Sequence, residues 1–221
     1  TIFSSDGVFT TPGLLRGAAA AVQAAGGLYI ADEVQAGFGR TGETMWGFER
    51  HGITPDIVTM GKPMGNGHPV AAAIMRPDLL AQFGERSRYF NTFGGNTVSC
   101  AAAAATLDVI EQEGLLVNAD TVGTYFRQRL EALMARHECI GDVRGAGLFL
   151  GLDLVSDRGG KLADAPLANR VVNGLREKRI LISTTGIHGN VLKIRPPLIW
   201  QREHVDMFVD ALDTLLSDLA D

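Results

Sequence analysis

Three short runs constrain this chain most: LYIAD (28–32), DIVTM (56–60) and VAAAIM (70–75). Each is nearly unbroken in its apolar character, without the strict alternation of a strand wetted on one face. Such strands belong in a sheet covered on both faces. The stretch before them, GLLRGAAAAVQAA (13–25), reads as a helix. Leu14, Leu15, Ala18 and Val22 share one face, and Gly26 and Gly27 suit its C-terminal stop. Helices interleaved with buried strands define an α/β fold.

The rest of the chain changes character. Residues Asn96 to Glu113 read as a long helix, and the Ala101–Ala105 run favours both helix and close packing. A second helix is expected over about 121–137, with Val122, Phe126, Leu130, Leu133 and Met134 on one stripe. GLFLGLDLV (147–155) alternates, which marks a half-buried strand. RILIST (179–184) and VLKIRPPL (191–198) read as further strands, with PLANRVVNGLREK as a helix before them. EHVDMFVDALDTLLSDLA closes the chain as an amphipathic helix. A domain boundary is expected near 114, giving domains 1–113 and 114–221. The opening TIFSSDGVF reads as the middle of a fold, so a longer parent protein is expected.

Bulk properties exclude several partners. Among 221 residues, 46% are apolar and 20% charged, enough to build a packed core rather than a disordered chain. The net charge of −5 and the lack of a basic stripe argue against nucleic acid and anionic membranes. No apolar run reaches the ~18 residues of a membrane span. No basic-then-apolar leader opens the sequence. Cys100 and Cys139 lack ligand spacing, which points to a reducing compartment without a structural disulfide. A cytoplasmic location is expected.

Chemistry concentrates in two places. In ADEVQAGFGRTG (31–42) an acid ends a strand and a glycine-rich turn follows; in DIVTMGKPMGNGHPV (56–70) Lys62 ends a strand before a loop of glycines and prolines. Ligands of open α/β sheets sit at the carboxyl ends of strands. Asp32 and Lys62 therefore can face one cleft. A desolvated lysine there acts as a nucleophile toward carbonyls, and an acid beside it can hold a pyridine nitrogen protonated. Spacing alone equally suits a structural ion pair. A phosphate-binding P-loop fails, because Pro63 follows Lys62 and Asp56 stands where glycine is needed. No metal motif is present. Arg144 in DVRGAG and His68 beside Pro69 read as structural.

DEVQAGFGRTG, PDIVTMGKPMGNGHPV, FNTFGGN, VRGAGLFLG and IRPPL, in this order, resemble the class III aminotransferases. The wording around Lys62 is closest to the branch of alanine–glyoxylate aminotransferase 2-like proteins and ethanolamine-phosphate phospho-lyases. The resemblance implies the pyridoxal-phosphate-dependent transferase fold of type I, with part of the large-domain sheet and the C-terminal α+β small domain. It covers the C-terminal half of such proteins; the N-terminal half would be a needed partner. It implies pyridoxal 5'-phosphate as cofactor and these roles: Lys62 forms the Schiff base, Asp32 binds the pyridine nitrogen, Val34 packs on the ring, and Gln35 bonds near its phenolic oxygen. Thr92 would reach the cofactor phosphate of a neighbouring subunit, so a homodimer or larger assembly is expected. Arg195 would pair with a substrate carboxylate.

Three functions remain open on this reading. The first is an aminotransferase acting on small amino and oxo substrates. The second is a phospho-lyase for a phosphorylated amino alcohol, which has no carboxylate for Arg195. The third is an inactive module that only folds or dimerises.

Overall fold

A computed structural model describes residues 2–10 and 13–220. Two compact units emerge. The first comprises residues 13–39 and 44–115; the second comprises 2–10, 40–43 and 116–220.

The first unit opens with α1 (Leu14–Ala24). It ends as the glycine pair predicts: Gly27 N–H donates to Val22 O and Gly26 N–H to Gln23 O, which satisfies the last carbonyls in a Schellman arrangement. Its buried face is narrower than expected. Leu15 and Ala19 pack with Ile53, whereas Leu14 and Val22 are exposed. The strands β1 (Ile30–Asp32), β2 (Ile57–Met60) and β3 (Ala72–Met75) form one sheet in that order. β1 and β2 are parallel, and β2 and β3 are antiparallel. A parallel return needs a long crossover. Residues 61–71 supply only a 3-10 turn over Lys62–Gly65, so β3 comes back antiparallel. Asp56, buried before β2, accepts hydrogen bonds from Tyr29 N–H, Gln23 and Arg76. The Tyr29 amide and Gln23 hold its carboxyl below the usual carboxylate range.

The described residues of this unit do not by themselves cover both faces of the sheet. Ile30 is 54% and Ile74 58% exposed, because no described element of the unit lies over those side chains. Two helices complete the unit. The first, α2 (Pro77–Arg86), escaped the sequence reading; it starts at Pro77 and buries no residue fully. The second, α3 (Thr97–Gln112), is capped by Asn96, whose side chain accepts from Val98 and Ser99 N–H.

The second unit is built on α4 (Leu115–Arg136), which begins earlier than the stripe of apolar residues predicts. Then come β4 (Ile140–Ala146), β5 (Phe149–Asp157), β6 (Leu162–Ala163), α5 (Ala165–Glu177), β7 (Ser183–Thr185), β8 (Val191–Ile194) and α6 (Arg202–Ala220). The sheet runs β4-β5-β8-β7, with β6 beside β5, and every pairing is antiparallel. β4 was not anticipated, since IGDVRGA carries two charges and two glycines.

The alternation in β5 puts Leu150, Leu152 and Leu154 on one face. They meet Phe126, Leu130 and Leu133 of α4, Val171 and Leu175 of α5, and Phe208 and Leu212 of α6 in a single core. Each such side chain contributes about 1.5–3 kcal/mol. The predicted half-buried strand is buried on both faces at its start. Phe149 packs with Ile2 and Val8 on the side opposite the core.

Arg158 ends α4 by donating to the carbonyls of Met134, His137 and Ile140. Arg144 bridges Asp153 and Asp142, donates to Gly7 O and lies over the Phe9 ring, the structural role its sequence context indicates.

Candidate functional site

In the first unit, parallel pairing sets Asp32 opposite Thr59, so β1 and β2 end at the same edge of the sheet. Asp32 is the last residue of β1, and Lys62 opens the 3-10 turn just after β2. Strand alternation separates the two neighbouring acids. Glu33 is wholly buried and accepts from Gly47 N–H (2.8 Å) and Phe48 N–H (3.0 Å), while its own N–H donates to Thr59 O. Asp32 is exposed, and its Oδ1 accepts from Val34 N–H at 3.0 Å. One acid is thus committed to holding the 46–48 turn. The other is exposed at the end of its strand.

Val34 lies beside the loop of Lys62: a Cβ placed on Gly61 would sit 3.9 Å from Val34 Cγ2. Asp32, Val34 and Lys62 are thereby brought to one strand-end cluster. Gln35 is half-buried just beyond it. Lys62 is exposed, so the desolvation asked of this lysine is not provided by the described residues of the unit. His68 packs as its loop position indicates; its Nε2 and Ser99 Oγ of α3 are hydrogen-bonded at 2.9 Å.

Thr92 lies apart, in the loop between α2 and α3. Asn91 Oδ1 accepts from Phe93 and Gly94 N–H there and shapes the turn. Thr92 is exposed, as are Phe90 (86%) and Phe93 (80%).

Arg195 belongs to the second unit. It follows β8, and its guanidinium centre lies 5.9 Å from the Phe149 ring centroid. Lys193 Nζ lies 5.8 Å from the same ring. These positions agree with alternation: Leu192 and Ile194 enter the core, and Lys193 and Arg195 take the other face. A residue given no role in the sequence reading, Arg40, reaches this strand end. Its guanidinium donates to Leu148 O (3.2 Å) and to Pro196 O. Burial, and then the like charge of Arg195, push its pKa down to about 10.

The donor set of the first unit fits the pyridoxal ring of pyridoxal phosphate. A carboxylate and an amine stand at the ends of neighbouring parallel strands, with an apolar Val34 beside the lysine loop. These are the groups a protonated pyridine, an aldehyde and a ring face require.

Residues 2–216 match the family Aminotransferase class-III, and the chain belongs to that family. It is 48% identical to the mitochondrial alanine–glyoxylate aminotransferase 2 homolog 2 of Arabidopsis thaliana, over 94% of this chain and 43% of that protein. It is 46% identical to ethanolamine-phosphate phospho-lyase homolog 1 of Caenorhabditis elegans, over 87% of this chain and 42% of that one. Among solved structures, a phospholyase from Arthrobacter in complex with phosphoethanolamine superposes with a TM-score of 0.94 at 46% identity, covering 98% of this chain and 51% of the other. The chain spans less than half the length of the curated relatives it matches. The fold is therefore that of the pyridoxal-phosphate-dependent transaminases, and the family implies that cofactor.

Proposed function

We propose that this chain carries the lysine, the pyridine-binding acid and the substrate arginine of a pyridoxal-phosphate-dependent aminotransferase. The observation that carries the reading is the placing of Asp32 and Lys62 at the ends of two adjacent parallel strands, with Glu33 turned inward. The cofactor, when bound, supplies an electron sink for the carbon that bears the amino group. Asp32 holds a proton at the pyridine nitrogen. Lys62 would supply the amine that secures the cofactor's aldehyde, and its Nζ would move the proton at the substrate carbon. Val34 would rest on the ring, and Gln35 would donate near its phenolic oxygen. Arg195 pairs with an anionic group of the substrate in the bidentate manner of a guanidinium. Thr92, on its exposed loop, would bind the cofactor phosphate of a second copy. The reaction moves an amino group from an amino donor to an oxo-acid or aldehyde acceptor.

A phospho-lyase is the second reading. It is favoured by the 46% identity to the phospholyase solved with phosphoethanolamine. The same lysine and acid would serve, but phosphate would leave from the neighbouring carbon.

The test is an absorbance spectrum of the holoenzyme between 300 and 500 nm (an instrument range of roughly this width covers the cofactor's bands). A borohydride-reducible band that L-alanine bleaches supports the aminotransferase. A band untouched by L-alanine, with phosphate released from phosphoethanolamine, supports the lyase. Lys62→Ala should lose the reducible band; a mutant that keeps it removes Lys62 from the mechanism.

A further inference from the structure

Arg40 stands where the β5–β8 ladder should continue but does not. The last pair of that ladder is Leu150 with Ile194. Continuing the antiparallel register sets Arg195 opposite Phe149 and Pro196 opposite Leu148, in keeping with the Arg195–Phe149 ring contact. Pro196 has no N–H to give, so the ladder stops there and Leu148 O loses its donor, while Pro196 O loses the Leu148 N–H, which turns to Arg40 O instead. The Arg40 guanidinium fills that gap by donating to both Leu148 O and Pro196 O. The clasp is fastened from the other side as well: Leu148 N–H donates to Arg40 O at 3.1 Å. Arg40 and Pro196 are 156 positions apart in the chain.

The approach is tight. A Cβ on Gly147 would fall 2.4 Å from the Thr41 carbonyl carbon and 2.7 Å from Arg40 O. Gly147 itself has φ +52°. Only glycine lets residues 40–41 lie so close to the β4–β5 turn.

We propose that Arg40 is a positioning residue for Arg195: by bridging Leu148 O and Pro196 O it fixes the backbone from which Arg195 meets an anionic substrate group. The inference rests on the reading of Arg195 as the anion-binding residue. The anion is a carboxylate or a phosphate ester, and the clasp serves either.

The experiment is a double-mutant cycle in the holoenzyme, with L-alanine and phosphoethanolamine as separate substrates. Arg195→Ala should raise KM about 10–100-fold for the substrate whose anion it binds, the size expected of a charge-assisted pair. Arg40→Met should raise the same KM about tenfold, more than it lowers kcat. Arg40→Lys, which keeps a donor at one carbonyl, should recover part of that loss and guards against a variant that fails to fold. In the Arg195→Ala background, Arg40→Met should add little to KM, because there is no longer a guanidinium to place. Equal KM effects in both backgrounds would overturn the inference, as would an unchanged KM when Arg195 is intact. An unchanged KM in Arg195→Ala would overturn the anion-binding reading itself.

Discussion

Two adjacent acids, Asp32 and Glu33, show how much one step along a strand changes a residue's work. Glu33 is buried, and two backbone amides donate to its carboxylate. Glu33→Ala should strand the Gly47 and Phe48 amides and cost about 1–3 kcal/mol, read as a lower midpoint in urea at unchanged slope. A midpoint equal to the wild type would mean that water replaces the carboxylate there. Asp32, one residue earlier, points the other way and carries the proposed chemistry. The motif DEVQ was legible in the sequence, and with it Asp32. The inward role of Glu33 was not, because the amides it satisfies lie in a loop that no periodicity describes.

At the scale of elements, local signals performed well where an element is capped or alternating. Asn96 caps α3, Gly26 and Gly27 close α1, and the leucines of β5 share a face. They failed where tertiary partners decide. β4 was missed because its charged Arg144 is satisfied by Asp142, Asp153 and Gly7 rather than by solvent. The seam between α4 and α6 is likewise tertiary. His137 Nε2 and Asp213 Oδ1 are 2.6 Å apart, and Arg136 donates to the other oxygen of Asp213. The His137 bond, and then Arg136, hold the Asp213 carboxyl below its ordinary range. A carboxyl with a depressed folded-state pKa stabilises the fold above its unfolded value, about 3.9, and loses that contribution as pH falls through the folded one. Unfolding followed from pH 6 down to roughly pH 2 should therefore be shallower in Asp213→Asn than in the wild type. Parallel curves would show that the seam contributes nothing to acid lability.

Across the whole molecule the two units differ in the extent of their packed apolar clusters. The second has a continuous core from Phe126 to Leu216. In the first, Leu15, Ala19 and Ile53 pack together, and Phe90 and Phe93 of the 87–95 loop are exposed. Hydrogen exchange should follow this contrast, since opening free energy tracks buried apolar contact. Amides of β5 and the middle of α4 should exchange slowest, and those of residues 87–95 among the fastest. The reverse order would mean that the core of the second unit does not set its stability. No helix among the described residues is long and apolar enough to cross a membrane.

The sequence by itself determined the α/β class, the family motifs in their order, and the placing of Asp32 and Lys62 at strand ends. Those features are written in short windows, through period-two and 3.6-residue patterning and through turn residues. The tertiary structure alone decided that Arg40 bridges Leu148 and Pro196, that Ile2 and Val8 cover Phe149, and that β3 returns antiparallel. Each depends on strand register or on pairing between residues far apart in the chain. A carbonyl left without a donor becomes visible only once the ladder that ends there is known.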